Sequence, residues 1–101
     1  MDRTKICCLT AIAALALTGC GKKQKPIVVG SKNFTEQVVL GEIIAQHLEH
    51  RLDRKVTRRF NLGGTLLSYQ AVVLGEISLY PEYTGTIVSE ILKEKPPADA
   101  V

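Results

Sequence analysis

Three short apolar runs alternate with three helix-like stretches along residues 26–93 of this 101-residue chain. The runs are rich in β-branched side chains and bounded by glycine or proline, which is typical of short buried strands. The predicted strands span residues 26–30, 55–60 and 77–80, and the predicted helices span residues 35–53, 66–74 and 87–93. This alternation predicts an α/β fold with a mostly parallel sheet and right-handed crossovers. The chain has room for one domain at most.

Capping residues and a breaker set the predicted helix boundaries. We expect Asn33 or Thr35 to cap the first helix, Thr65 the second, and Thr84 or Thr86 the third, because their side-chain oxygens can accept hydrogen bonds from free amides. Gly75 is expected to close the second helix.

Three polar, glycine-containing loops follow the predicted strands. We call them the first loop (Gly30–Phe34), the second loop (Asn61–Thr65) and the third loop (Pro81–Thr86). Because ligands of parallel sheets gather at the carboxyl ends of the strands, these loops are expected to meet and form a binding site.

The third loop indicates the chemistry of that site. Tyr83 offers a ring face to a cation, and the threonines at the helix start can receive an anion. A small zwitterion with a carboxylate and a bulky cation suits this pattern. An ordinary strand–helix turn, with Tyr80 and Tyr83 packed in the core, is the alternative.

The N-terminus has the pattern of an export signal. Arg3 and Lys5 precede an apolar run over residues 6–17, which is too short to span a bilayer as a mature helix. Residues 17–20, Leu-Thr-Gly-Cys, resemble a bacterial lipobox, which implies cleavage before Cys20 and lipidation of its thiol. Residues 1–19 are then the signal peptide and residues 20–26 a polar tether. An ordinary secretory signal or a short membrane anchor are the alternatives.

Composition argues against several other classes of protein. A net charge of +3 at pH 7 is not a nucleic-acid-binding pattern. Cys7 and Cys8 leave with the signal, so Cys20 has no partner for an internal disulfide. His47 and His50 lie one helical turn apart, but no third metal ligand is evident. We therefore expect no metal, no cofactor and no enzymatic activity.

Three motifs together resemble a known family. Residues 30–37 read Gly-Ser-Lys-Asn-Phe-Thr-Glu-Gln, residues 62–65 read Leu-Gly-Gly-Thr, and residues 80–86 read Tyr-Pro-Glu-Tyr-Thr-Gly-Thr. They resemble the substrate-binding proteins of osmoprotectant ABC importers, which take up glycine betaine, choline, carnitine and related quaternary amines. The resemblance covers residues 27–93.

The resemblance implies both a fold and a set of partners. The family has two α/β lobes of the type II periplasmic-binding-protein kind, which close on the ligand. Here residues 27–95 would form a βαβαβα part of the first lobe, and residues 96–101 an unstructured tail. A permease and an ATPase subunit would be the partners. The protein would be exported and attached to the bacterial membrane through the lipid on Cys20.

The resemblance also implies roles for individual residues. Tyr83 would be one wall of an aromatic box around the trimethylammonium group, while Lys32 and Thr86 would help to hold the carboxylate or other polar end. We expect Tyr80 to be structural and Tyr69 to pack within the second helix.

Length limits the functional prediction. A two-lobed binder needs roughly 250 residues, so we expect this chain to be truncated, with a marginal core and low stability. One alternative is a remnant lipoprotein lobe that serves as a structural or interaction protein without binding solute. Another is an amino-acid-binding lobe, which would use an Arg/Asp pair in place of tyrosines.

Overall fold

The computed structural model describes Gly19, residues 21–95 and Ala98. Residues 1–18 of the predicted signal peptide, the predicted lipidation site Cys20 and most of the predicted tail therefore lie outside the described residues. In chain order the elements are β1 (Ile27–Gly30), α1 (Thr35–Leu52), β2 (Val56–Arg59), α2 (Thr65–Val73) and α3 (Thr84–Thr86), which continues into a π-helical segment (Ile87–Ile91). Among the described residues, no helix combines the length and apolar character needed to cross a membrane.

β1 lies in the middle of a small parallel sheet. It pairs with β2 in register from Ile27 opposite Val56 to Gly30 opposite Arg59. On its other side a single parallel bridge joins Val29 to Leu79, where the Gly30 amide donates to the Leu79 carbonyl at 2.9 Å. The predicted α/β class and parallel pairing are confirmed. The prediction of a full third strand over residues 77–80 was wrong, because regular pairing there is limited to Leu79.

The core is formed mainly by the first strand–helix–strand unit. Val29, Ala45 and Val56 are almost completely buried, and five partly buried side chains pack against them: Ile27, Ile44, Leu48, Phe60 and Leu79. A Cβ on Gly41 would lie 2.8 Å from Cε1 of Phe60. The glycine therefore lets α1 approach the ring that follows β2.

Arg58 links β2 to α1 on the polar side of this unit. Its guanidinium donates to Glu49 at 2.6 Å and to Glu42 at 2.9 Å. Side chains alternate in burial along β2, since Val56 is buried and Arg58 half-buried while Thr57 and Arg59 are exposed. Hydrogen bonding to Arg58 lowers the pKa of Glu49 to about 2.

The predicted N-terminal caps were wrong for all three helices. Phe34, Gly64 and Tyr83 occupy the cap positions, and none makes a side-chain capping bond. Each of them has an extended backbone in a loop that is bonded to a neighbouring loop. Contacts between loops, more than capping propensity, therefore decide where each helix starts. The predicted ends of the first two helices agree with the structure to within one residue.

The third helix starts earlier than predicted and has wider turns. It begins at Thr84, so Gly85 lies inside the helix and does not make the turn before it. The Leu92 amide bonds the Ile87 carbonyl, five residues back. The Ser89 hydroxyl donates to the Gly85 carbonyl at 2.9 Å. A hydroxyl that takes a main-chain acceptor competes with regular α-helical bonding, which accounts for the π-helical geometry.

Candidate ligand-binding site

The first and second loops are joined by hydrogen bonds at the carboxyl edge of the sheet. The Leu62 amide donates to the Ser31 carbonyl at 3.0 Å, and the Asn61 amide donates to Ser31 Oγ at 3.0 Å. Ser31 is fully buried. The Asn33 amide donates to the Gly63 carbonyl at 3.1 Å. The structure thus brings these two loops together as predicted.

Gly63 is required by the shape of the second loop. Its φ of +129° lies in a region that side-chain-bearing residues rarely adopt, and a Cβ there would lie 2.6 Å from Leu67 Cδ1. The glycine therefore allows the loop to turn directly into α2 while its carbonyl faces Asn33.

A buried ion pair joins the first loop to the third. Lys32 Nζ lies 2.6 Å from Glu82 Oε1, and the two side chains are only 6% and 7% exposed. The same carboxylate oxygen accepts the Tyr83 amide at 2.9 Å, and the Lys32 amide donates to Gln37 Oε1 at 3.3 Å. Glu82 Oε1 therefore accepts from both loops, whereas Glu82 Oε2 is buried without a hydrogen-bond partner in the described part of the chain.

Two aromatic rings flank the ammonium group of this pair. Lys32 Nζ lies 5.5 Å from the centroid of Phe34 and 5.2 Å from the centroid of Tyr83. Both distances are within cation–π range. Phe34 is 42% and Tyr83 37% exposed, so the rings remain accessible while the ammonium group is buried.

Tyr83 in the third loop and Tyr80 just before that loop stay neutral around physiological pH. The Tyr83 hydroxyl donates to Glu36 in the first turn of α1, and this hydrogen bond raises the pKa of Tyr83. Burial, followed by the charge of Glu82, raises the pKa of Tyr80 to about 12. The hydrogen bond to Glu36 also fixes the orientation of the Tyr83 ring, which makes it a defined wall.

The predicted site residues are partly brought together. Lys32 and Tyr83 are in contact, and half-buried Thr86 lies at the end of α3, three residues beyond Tyr83. Tyr80 is half-buried, but Tyr69 on α2 is 40% exposed. The prediction that Tyr69 packs within its helix was therefore wrong, because this face of α2 has little packed against it in the described part of the chain.

Sequence reasoning missed Phe34 and Glu82. Both lie inside the motifs quoted above. Glu82 lies next to Tyr83, and Phe34 lies two residues after Lys32. The available signal was an acidic residue in one strand-end loop opposite a lysine in another, since such loops meet at one edge. His47 and His50 are both exposed on α1, and the described residues contain no group of three metal-ligating side chains.

The chain belongs to a family of transport proteins. Residues 25–100 match the family model described as the substrate binding domain of the ABC-type glycine betaine transport system. This match includes all three loops of the candidate site, and it confirms the family indicated by the sequence motifs.

Individual relatives agree with this assignment. The chain is 42% identical over 73 residues to the ergothioneine transport permease/ergothioneine binding protein EgtU of Helicobacter pylori, covering 70% of this chain and 13% of that protein. It is 43% identical over 60 residues to the glycine betaine-binding protein YehZ of Escherichia coli, covering 59% of this chain and 19% of that protein.

A solved structure supports the fold class. Apo YehZ from Escherichia coli superposes with a TM-score of 0.66 at 37% sequence identity, over 74% of this chain and 26% of that one. The chain thus spans between about an eighth and a quarter of the proteins it matches. The prediction of a partial lobe of a periplasmic-binding-protein-like fold is confirmed.

Proposed function

We propose that this chain contributes first-lobe ligand contacts to the substrate-binding component of an ABC importer for glycine betaine or a related quaternary amine. The observation that carries the proposal is the pair of half-exposed rings, Phe34 and Tyr83, at the carboxyl edge of a parallel sheet. The family to which the chain belongs supports the class of ligand.

The chemistry of a quaternary ammonium favours such a site. Because it has no N–H group, it cannot donate a hydrogen bond to a carboxylate, and aromatic faces are its natural partners. In the proposed site Tyr83 forms one wall for the cation. Lys32 and Thr86 contact the carboxylate or other polar end of the ligand. Lys32 can do so because an ammonium group has three donors and Glu82 accepts only one of them.

The described residues alone predict weak binding. Exposed cation–π contacts contribute about 0.5–1 kcal/mol each. Lys32 is only 6% exposed and already paired with Glu82, so we count its contact with a ligand carboxylate as no more than the roughly 0–1 kcal/mol of a solvent-screened pair. Association costs about 4 kcal/mol or more, while a micromolar Kd needs about 8 kcal/mol net. We therefore expect a Kd in the millimolar range or weaker unless a second lobe adds further aromatic walls.

NMR titration of the purified chain with glycine betaine and with choline tests this function. Shifts should concentrate on the first and third loops, and Tyr83→Ala should abolish them. Tyr69→Ala is the matched control, because Tyr69 is about as exposed as Tyr83 but lies on α2. Absence of loop shifts at high millimolar ligand would favour a lobe without solute binding, and a micromolar Kd would refute the weak-binding argument.

The cellular location belongs to the same proposal. We infer export and membrane attachment through a lipid on Cys20, on the basis of the Leu-Thr-Gly-Cys motif. Cys20→Ser should block processing or release the protein from the membrane fraction, whereas Cys8→Ser should change neither. If the Cys20→Ser precursor is still cleaved and still sediments with membranes, the lipid anchor is wrong.

A further inference from the structure

The aromatic pair of the candidate site already holds a cation that belongs to the chain itself. The Lys32 ammonium is within 5.5 Å of both ring centroids. Its salt bridge to Glu82 fixes it there at 2.6 Å. Phe34 and Tyr83 each leave more than a third of their surface exposed. An external ligand therefore meets two aromatic rings that already contact the Lys32 ammonium.

We propose that Lys32 is the resident cation of the Phe34–Tyr83 pair, and that Lys32 and Glu82 together determine which ligand charge the site accepts. The inference rests on the proposed function and deepens it by assigning Glu82 to the site and a role in charge selection to Lys32. Because the charges of Lys32 and Glu82 cancel, a ligand without net charge leaves the site electrically neutral. A zwitterion can place its cation on the outer ring faces and its carboxylate near the Lys32 ammonium.

A simple cation lacks that compensation. Its positive charge approaches the rings already polarised toward the Lys32 ammonium, and it carries no carboxylate to offset the repulsion. The pair therefore discriminates against net cations such as tetramethylammonium and in favour of zwitterions. Glu82 is a specificity-determining residue in this scheme, because its salt bridge holds the ammonium against the two rings.

Removing the resident cation should convert the site into a receptor for an external one. In Lys32→Met the carboxylate of Glu82 loses its partner and the rings lose their occupant. Tetramethylammonium should then bind at least about fivefold more tightly than to the wild type, the factor that one unit charge at about 4 Å gives even in bulk water. NMR titration with tetramethylammonium chloride, against sodium chloride at equal ionic strength, measures this change.

Two control variants isolate the charge effect. Lys32→Met combined with Glu82→Gln removes both charges, so tetramethylammonium should bind more weakly than to Lys32→Met but more tightly than to the wild type, because the rings have lost their resident cation. Lys55→Met changes an exposed lysine just before β2 and should leave tetramethylammonium binding at the wild-type level. The proposal is overturned if Lys32→Met binds tetramethylammonium no more tightly than the Lys55→Met protein does.

A measurement on the wild-type chain covers the case in which Lys32→Met does not fold. The ε-methylene protons of Lys32 should be shifted upfield by the two ring currents, and Phe34→Leu should remove part of that shift. Random-coil positions for these protons in the folded wild type would overturn the proposal. Failure of the wild type to bind glycine betaine, with a gain for tetramethylammonium in Lys32→Met, would count against the proposed function and leave the resident cation standing.

Discussion

The first unit of the fold (residues 27–59) and the third (residues 76–95) are stabilised in different ways. In the first, two paired strands and an 18-residue helix surround the buried side chains of Val29, Ala45 and Val56. The third has one β-bridge at Leu79, a three-residue helix and a π-helical segment. Its attachment depends on a few specific contacts, among them the Lys32–Glu82 pair and the Tyr83–Glu36 hydrogen bond.

This difference places the less firmly held of these two units at the candidate site. Stability in the first unit is spread over many apolar contacts, so no single polar group decides it. In the third unit Ile77 and Leu79 supply the apolar attachment, and the polar attaching side chains are also groups that surround the proposed ligand. Regions with few buried apolar contacts open most readily, so ligand binding and ordering of the third unit should be coupled.

The largest expected effect comes from Glu82→Gln compared with Glu76→Gln. Breaking one partner of a buried pair costs about 3–5 kcal/mol, and Lys32 would remain buried without its carboxylate. Glu76 lies 3.9 Å from Arg59 in a half-exposed pair, where a loss of about 0–1 kcal/mol is expected. Hydrogen exchange should show lost protection over residues 76–95 in Glu82→Gln while α1 and β2 stay protected. Equal, small effects of the two substitutions would remove the distinction between the units.

The next largest effect is expected from Val29→Ala, which should destabilise the first and third units together. Val29 is fully buried and pairs with β2 on one side and Leu79 on the other. Val29→Ala should lower the free energy of unfolding by about 2–3 kcal/mol through lost burial and a residual cavity. Val73→Ala removes the same atoms from a side chain that is 64% exposed, and should change stability by less than about 0.5 kcal/mol. Urea denaturation measures both, and loss of protection confined to one unit would show that the units have separate cores.

The same contrast explains what the sequence could predict. Periodicity located β1, α1, β2 and α2 to within about two residues, because each element packs against a partner in the described chain and its pattern reflects that packing. For the third unit, the order and position of the elements were predicted correctly, but the strand pairing and the helix geometry were not. Its apolar run over residues 77–80 pairs only at Leu79, and the Ser89 hydroxyl alters the helix that follows.

The sequence predicted where the candidate site lies in the fold, but it did not predict the contacts between its side chains. Strand–loop order was sufficient to predict that the three loops meet, because this follows from parallel pairing. Opposite charges in two loops that meet were the only sequence signal for Lys32 and Glu82, and the pairing of their side chains could not be predicted from this alone. It depends on how two loops 50 residues apart are oriented in space, and a charged residue in a polar loop is usually solvated.

The acid stability of the first unit should depend on Arg58. The pKa of Glu49 in the folded chain is about 2, below its ordinary value of 4.5, mainly because Arg58 donates to it. This contribution is present above about pH 4.5 and is lost as the pH falls toward 2. Arg58→Met should therefore flatten the decline in stability between pH 5 and pH 3 relative to the wild type, as measured by urea denaturation at each pH. Arg59→Met is the control, and an unchanged pH profile in Arg58→Met would contradict the assignment. The effect should be modest and reduced by salt, since the pair is partly exposed.

The smallest effect is expected from Tyr83→Phe, which keeps the ring but removes the hydroxyl that donates to Glu36. Because that bond raises the pKa of Tyr83 above 10, its contribution to stability is present below pH 10 and is lost as the pH rises through the folded-state pKa. Absorbance titration of the folded wild type should show two late-ionising phenols, Tyr80 and Tyr83. Tyr83→Phe should leave one of them, and Tyr69→Phe should leave both. Near neutral pH, Tyr83→Phe should loosen the third unit slightly.

Affinity for glycine betaine should fall by no more than about twofold in Tyr83→Phe, because the cation–π contact depends on the ring face. A loss as large as that of Tyr83→Ala would mean that the ligand is recognised through the hydroxyl, and the third unit would then hold its ligand by hydrogen bonding in place of an aromatic wall.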